Sequence, residues 1–251
     1  TTEINSSFYY GGDISNDNSG VLTYVKLEYT GARSSADVEH NGLTLNGVGS
    51  ETKIENIYIP NSSDDGIEFF GGSVNDKNLL VVNSDDDMFD FTQGYTGTLE
   101  NAYGIWEKGF SSSESDPRGI EADGNLDGNT PDQLGQSNFT VKNITIDLKL
   151  DPIAADHADF KKRSMQDVIK IRRGAKVSIT NALFKGTGTA ENIVDFNDGK
   201  GNGDETSTIS YKSTLPAPTK EVVKGTGNVT INEANTGCPS NIFGWTGYTG
   251  F

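Results

Sequence analysis

Apolar residues recur along this chain in short alternating triplets divided by polar, glycine-bearing turns. Leu43-Thr44-Leu45, Ile67-Glu68-Phe69, Phe89-Asp90-Phe91, Ile120-Glu121-Ala122, Ile169-Lys170-Ile171 and Val194-Asp195-Phe196 share the pattern. Leu43 to Ile67 spans 24 residues and Ile67 to Phe89 spans 22, with later intervals lengthened by inserted loops. A period of two puts the outer members of each triplet on one face and the middle member on the other. The turns NGVGS, GGSVN and QGYTG follow successive triplets, and FYYGG at 8–12 parallels EFFGG at 68–72. The first coil is therefore expected near residue 8.

A second pattern runs in phase with the first: an apolar residue, then Asn two places on, then an apolar residue or Gly. It appears as Ile54, Asn56, Ile59; Leu99, Asn101, Gly104; Val141, Asn143, Ile146; and Ile179, Asn181, Phe184. Asn78 fits the slot although Asp76 stands at the apolar position, and Tyr24 takes the slot in the first unit. Strand fragments this short are unstable alone. Stacked in register about 4.8 Å apart, each pairs with its counterpart in the next coil, which predicts a solenoid. Asn tolerates left-handed backbone, and stacked amides can bond up and down the ladder. A leucine-rich repeat would need a regular period, more Leu and helices. A β-sandwich would need longer strands joined by hairpins.

These units resemble the right-handed parallel β-helix of the pectate-lyase-like superfold. On that resemblance the triplets are the first strand of each coil, 52–55 is a second, Asn56 the turn and 57–59 a third. SGVLTYVKLEYTGA, NGLTLNGVGS, DDGIEFFGG and DDDMFDF are similar to a group of secreted or lipid-anchored β-helix proteins of Bacteroidetes-type bacteria, over about residues 8–200. The resemblance implies an all-β fold of three-strand coils with an asparagine ladder. It also implies an extracellular or outer-surface location in a bacterium. Members of that group carry further coils before the segment matching residue 8, which implies a piece of a longer chain, a processed form or a divergent member.

The coils are expected over residues 1–200, with the last strands and a C-terminal cap of the same domain over 201–251. Two insertions interrupt them, at 107–137 and at 150–166, where a short helix fits. The ending NIFGWTGYTGF reads as a cap over the open end of the solenoid, blocking edge pairing.

Charge narrows the function classes. Among 251 residues, 36 are acidic and 20 basic, a net charge of −16. A broad electrostatic surface for nucleic acid or an anionic membrane is excluded. Cys238 is the single cysteine, so no internal disulfide forms and the redox compartment is open. No apolar run reaches membrane-spanning length, and no signal peptide opens the sequence. His40 and His157 lie alone in polar loops, against a histidine zinc site or a Ser-His-Asp triad.

The candidate chemistry lies in the triplets. Their middle residues, Thr44, Glu68, Asp90, Glu121, Lys170 and Asp195, should stack into an outward column. Three places earlier stand Asp65, Asp87 and Arg118, preceded by Asp64 and Asp86. Carboxylates about 5 Å apart repel by about 1 kcal/mol in water and by several where water is excluded. Three arrangements answer that repulsion. Calcium could bridge Asp65, Glu68, Asp86, Asp87, Asp90 and Glu121, which offer the oxygen ligands it prefers. Alternatively Arg118 and Lys170 neutralise the column, or the face is simply solvated with raised carboxyl pKa values.

β-Helices of the resembled superfold include polysaccharide lyases and hydrolases. A lyase would use Arg118, Lys170, Arg172 or Arg173 as base, with calcium on Glu68, Asp90 and Glu121, and a hydrolase would pair Glu68 with Asp90. No lyase or polygalacturonase motif string is present. Tyr95 and Trp106 either form a sugar-stacking platform beside the column or anchor the first insertion. The reading is an exported, adhesin-like binding module for a glycan or surface protein. The alternatives are a calcium-dependent lyase-like or glycoside-cleaving enzyme and a structural spacer within a larger surface protein.

Overall fold

The computed structural model describes residues 2, 4, 5, 7–32 and 40–251. Its strands stack into two sheets, every ladder parallel. The first holds β2 (Leu43–Asn46), β4 (Ile67–Phe70), β6 (Phe89–Thr92), β8 (Arg118–Asp123), β10 (Ser164–Arg172), β12 (Thr189–Asp195) and β14 (Glu221–Lys224). The second holds β1 (Val21–Lys26), β3 (Lys53–Pro60), β5 (Asn75–Val82), β7 (Thr98–Trp106), β9 (Asn138–Leu148), β11 (Lys176–Gly186), β13 (Thr208–Ser213) and β15 (Asn228–Ile231). Each chain neighbour belongs to the opposite sheet, so the path is a right-handed parallel β-helix. The expected second and third strands of a coil run on as one strand, bent at the asparagine.

That bend is a ladder. Asn56, Asn78, Asn101, Asn143 and Asn181 all have φ between 54° and 62°. From Asn78 upward, each Nδ2 donates to the Oδ1 one coil below, at 2.8–2.9 Å. Tyr24 holds the same conformation, φ 56°, in the first unit. Gly104 stands among apolar partners Val81 and Ile146 because a Cβ there would collide with Met88 Sδ.

The triplets' outer residues form the core. Leu45, Phe69, Phe91, Ala122 and Ile171 stack in register, and the rings of Phe69 and Phe91 are stacked nearly parallel with centroids 4.9 Å apart. Asp76 interrupts this core: it sits in register between Ile54 and Leu99, 1% exposed, with no well-formed hydrogen bond to either carboxyl oxygen among the described residues.

Two expectations need correcting. Residues 8–12 form no strand; they begin an arm that crosses the turns of the first coils, and the strands open at Val21. The C-terminal segment does not lie over the open end. Thr236 and Gly237 N–H donate to Asn181 Oδ1 at 2.7 and 3.3 Å, ending the ladder. The chain then runs back along the flank until Trp245 meets Tyr24 edge-on at 5.5 Å. The cause is the outward face of β3, β5 and β7, where Tyr58, Leu80, Val82, Tyr103 and Ile105 are apolar and need cover, which Phe243 and its neighbours supply. Ile231 on the last strand stays 61% exposed. The second insertion does hold a helical turn, α1 (Phe160–Arg163).

Candidate functional site

The outward column forms as the triplet spacing requires. Thr44 pairs with Glu68, Glu68 with Asp90, Asp90 with Glu121, Glu121 with Lys170, and Lys170 with Asp195. Lys224 on β14 extends it by one rung. Loops from both sides cover this face, so Glu68, Asp90, Glu121 and Lys170 are each no more than 9% exposed. The solvated-face arrangement is thereby replaced by a buried one.

A second column stands three residues earlier, and most of its side chains reach the next coil. Asp65 Oδ1 accepts from Asp87 N at 2.9 Å, and Asp87 Oδ1 from Arg118 N at 2.6 Å. Higher up, Asp167 accepts from Asn192 Nδ2 at 2.7 Å, and Asn192 Oδ1 from Glu221 N at 3.1 Å. Asp167, Asn192 and Glu221 were missed in the sequence, although each stands three places before a column residue. That spacing, already visible at Asp65 and Asp87, was the signal.

The column divides into two electrostatic halves. In the half toward the C-terminus every carboxylate has a cation. Glu121 Oε1 lies 3.2 Å from Arg118 and 2.7 Å from Arg172. Asp123 lies 2.6 Å from both Arg172 and Arg173. Asp195 is held by Lys170 at 2.9 Å and Lys224 at 3.0 Å. Burial pushes Asp195 up, but these bonds outweigh it and its pKa falls below the usual value. Arg118, 4% exposed, also meets Asp116 at 2.7 Å and Asp87 and Asp167 at 3.7 Å. Burial disfavours its charge, yet Glu121 and Asp87 hold the guanidinium well above its ordinary value.

In the other half the carboxylates crowd one another. Oxygens of Asp65, Glu68 and Asp90 all lie within 4.8 Å of one another, as do those of Asp64, Asp65 and Asp86. Burial, then the charge of Asp64 and Asp87, raises Asp65 well above the usual range. Burial, then Glu121 and Asp123, does the same to Asp90. Burial pushes Asp86 up to about 8 against the opposing charge of Arg118. Asp90 Oδ1 and Asp86 Oδ1 are buried and accept no hydrogen bond among the described residues.

Of the six carboxylates considered as calcium ligands, Asp65, Glu68 and Asp90 are thus brought together, and Asp86 joins Asp65 on the other side. Asp87 is engaged with Arg118 and its backbone, and Glu121 with two arginines. Asp64 completes the second trio. The residues fit a hard cation on two counts: the donors are all carboxylate oxygens, and a buried acceptor lacks a donor.

The sugar-stacking arrangement of Tyr95 and Trp106 is corrected. Both are fully buried, so neither ring offers a face to a ligand. Tyr95 packs inside the coil against Phe69 at 4.6 Å and donates to Val74 O. Trp106 Nε1 donates to Ser84 O at 3.0 Å and its ring supports Phe110 of the first insertion. Large aromatics follow the apolar interior when a hydrogen-bond partner is within reach. His40 and His157 are exposed.

A family model described as a pectate-lyase like beta helix domain matches residues 1–241. No curated protein and no solved structure matches the chain.

Proposed function

The chain belongs to the pectate-lyase like beta helix domain family, and from that premise we propose that it is an exported, calcium-dependent binding module of the outer cell surface rather than an enzyme. A fold that hosts several chemistries leaves function to the site. The observation that carries the reading is Asp90 Oδ1: a buried carboxylate oxygen with no hydrogen-bond donor among the described residues, beside Asp65 and Glu68. Calcium–oxygen distances of about 2.4 Å allow two ligands of one ion to stand up to about 4.8 Å apart, and the oxygens of this trio meet that limit. Backbone carbonyls and water would complete the shell. Calcium affinity on the order of 10⁻⁴–10⁻³ M is what extracellular modules use, and it agrees with a partner met outside the cell, a glycan or a surface protein. No helix among the described residues is long and apolar enough to cross a membrane.

The lyase alternative is weaker on a specific observation. Its base would be a cation beside the acids, yet Arg118 is buried among carboxylates that hold its proton more firmly than usual. Lys170 is spent on Asp195 and Asn197 O at 2.9 and 2.7 Å. A spacer would need neither the crowded trio nor its shielding loops.

The test is a thermal melt after EDTA treatment and then across a calcium titration, with a Glu68→Gln/Asp90→Asn double variant alongside. A melting temperature that rises saturably with calcium in the wild type alone is the expected result. No calcium response, with a variant as stable as or more stable than the wild type, would overturn the reading.

A further inference from the structure

A cleft of 760 Å³ lies at the C-terminal ends of β2, β4 and β6, where Tyr10 faces the charge of Glu68. Its floor is built from the stacked turns that follow those strands, and its wall is the arm of residues 11–19. The arm is seated, because the turn glycines leave room for it: a Cβ on Gly49 would collide with the backbone of Asp17, and one on Gly47 would stand 3.0 Å from the Tyr10 ring. Ser50 N donates to Ser15 O at 2.9 Å and fixes the wall from the other side. Tyr10 closes the end toward the column. Its hydroxyl donates to Gln93 Oε1 at 2.7 Å, and its ring meets Phe70 edge-on at 6.3 Å. Burial, then the charge of Glu68, keeps that hydroxyl protonated.

We propose that this cleft binds an uncharged, polyhydroxylated ligand, a neutral saccharide. The inference rests on the binding-module reading and names the ligand class for it. The volume is that of a small-molecule site. Asn46, Gln93 and Gln133 present amides, which both donate and accept, as a sugar's hydroxyls do, and the Ser73 hydroxyl, which donates to Ser15 O, keeps its acceptor side. Asn46 Oδ1 is buried at the cleft and accepts no hydrogen bond among the described residues. An orphaned acceptor of this kind is matched by a ligand hydroxyl. Among the described residues no cation lines the cleft, while Asp13 and Asp17 stand on its wall. A polyuronate or phosphorylated ligand would meet repulsion there, and a neutral glycan would not.

The experiment is saturation-transfer NMR and calorimetric titration of the full chain with neutral hexasaccharides of glucose, xylose, mannose and galactose, and with hexagalacturonate, each in calcium and in EDTA. The expected result is saturable binding of a neutral hexasaccharide, no binding of hexagalacturonate, and at least tenfold weaker binding by Asn46→Ala and by Gln93→Ala, with melting temperatures unchanged. Should either variant melt early, Tyr10→Phe removes one hydroxyl while keeping the ring and should weaken binding severalfold. Silence from all four neutral sugars, preference for hexagalacturonate, or binding indifferent to these variants would overturn the inference. A calcium-dependent melt without sugar binding overturns it and leaves the calcium site standing. Sugar binding without any calcium response upholds the cleft and removes the calcium site.

Discussion

Asp90 and Glu121 are register partners on adjacent strands, yet they answer to opposite neighbours. Glu121 is clasped by Arg118 and Arg172 at 3.2 and 2.7 Å, whereas Asp90 faces Asp65 and Glu68 with one buried oxygen left without a donor among the described residues. One rung of a β-ladder thus separates a structural ion-pair network from a cluster in which carboxylates crowd one another. The two residues should respond oppositely to neutralisation. Glu121→Gln leaves two buried guanidiniums short of a partner and should cost about 3 kcal/mol, with the calcium response intact. Asp90→Asn relieves repulsion, should be neutral or stabilising by about 1 kcal/mol without calcium, and should abolish the response. Urea melts of both variants with and without calcium check the contrast.

The crowded half also fixes a pH dependence. Asp65, Asp87 and Asp90 are raised well above the ordinary range, by burial first and neighbouring carboxylates second, and Asp86 is raised to about 8. In the unfolded chain each ionises near pH 4. Between those values the folded state holds more protons than the unfolded state, so stability is greatest at the acid end and falls as pH rises. In EDTA the melting temperature should decline steadily from about pH 5 to about pH 8. Saturating calcium takes the place of the protons, so the gap between calcium and EDTA curves should widen over the same interval. A flat EDTA curve would show that these carboxyls are not raised.

Asp76 offers a separate test within the core. It occupies an inward position between Ile54 and Leu99, neither oxygen has a well-formed hydrogen bond among the described residues, and burial, only partly offset by the Lys77 backbone N–H, raises its pKa to about 8. Asp76→Val should stabilise the protein by about 1–3 kcal/mol at neutral pH, the usual cost of a buried unsatisfied polar group. The sign follows the same linkage: the advantage of Val should grow from about pH 4 to about pH 8, then level off once the folded carboxyl has ionised. Denaturation curves at several pH values measure it.

The architecture was legible because both of its signals are periodic. The triplet spacing fixed which residues stack, and the phase of Asn56, Asn101, Asn143 and Asn181 fixed where the coil bends, so that even Asn78 and Tyr24 fell into place. What failed depended on burial, which period does not report. Tyr95 and Trp106 flank an insertion that could have left them exposed, and their rings were instead drawn into the core. The path of the tail was hidden for a related reason. Tyr58, Leu80 and Tyr103 alternate as outward residues do, and nothing local shows that a segment more than a hundred residues later covers them. The division of the acid column was partly legible: Arg118 and Lys170 were visible as counter-charges, but Arg172 and Lys224 acquire partners only through the register.

The asparagine ladder should carry stability out of proportion to its size. Asn101 sits mid-ladder, donating to Asn78 Oδ1 and accepting from Asn143 Nδ2, both at 2.9 Å, with φ at 62°. Asn101→Ala removes both bonds and forces a Cβ-bearing residue without a compensating side-chain bond into left-handed backbone. The left-handed penalty is about 1 kcal/mol, and each broken bond that strands a half-buried amide adds about 1 kcal/mol, so a loss of about 3 kcal/mol is expected. Asn101→Gly removes the same bonds but accepts the backbone angle freely, and should recover about 1 kcal/mol of that loss. Equilibrium urea denaturation of the two variants separates the terms. Equal losses would mean that the left-handed bend costs nothing beyond its hydrogen bonds, and a negligible loss in both would mean that the ladder follows from the stacking of the strands rather than helping to hold it.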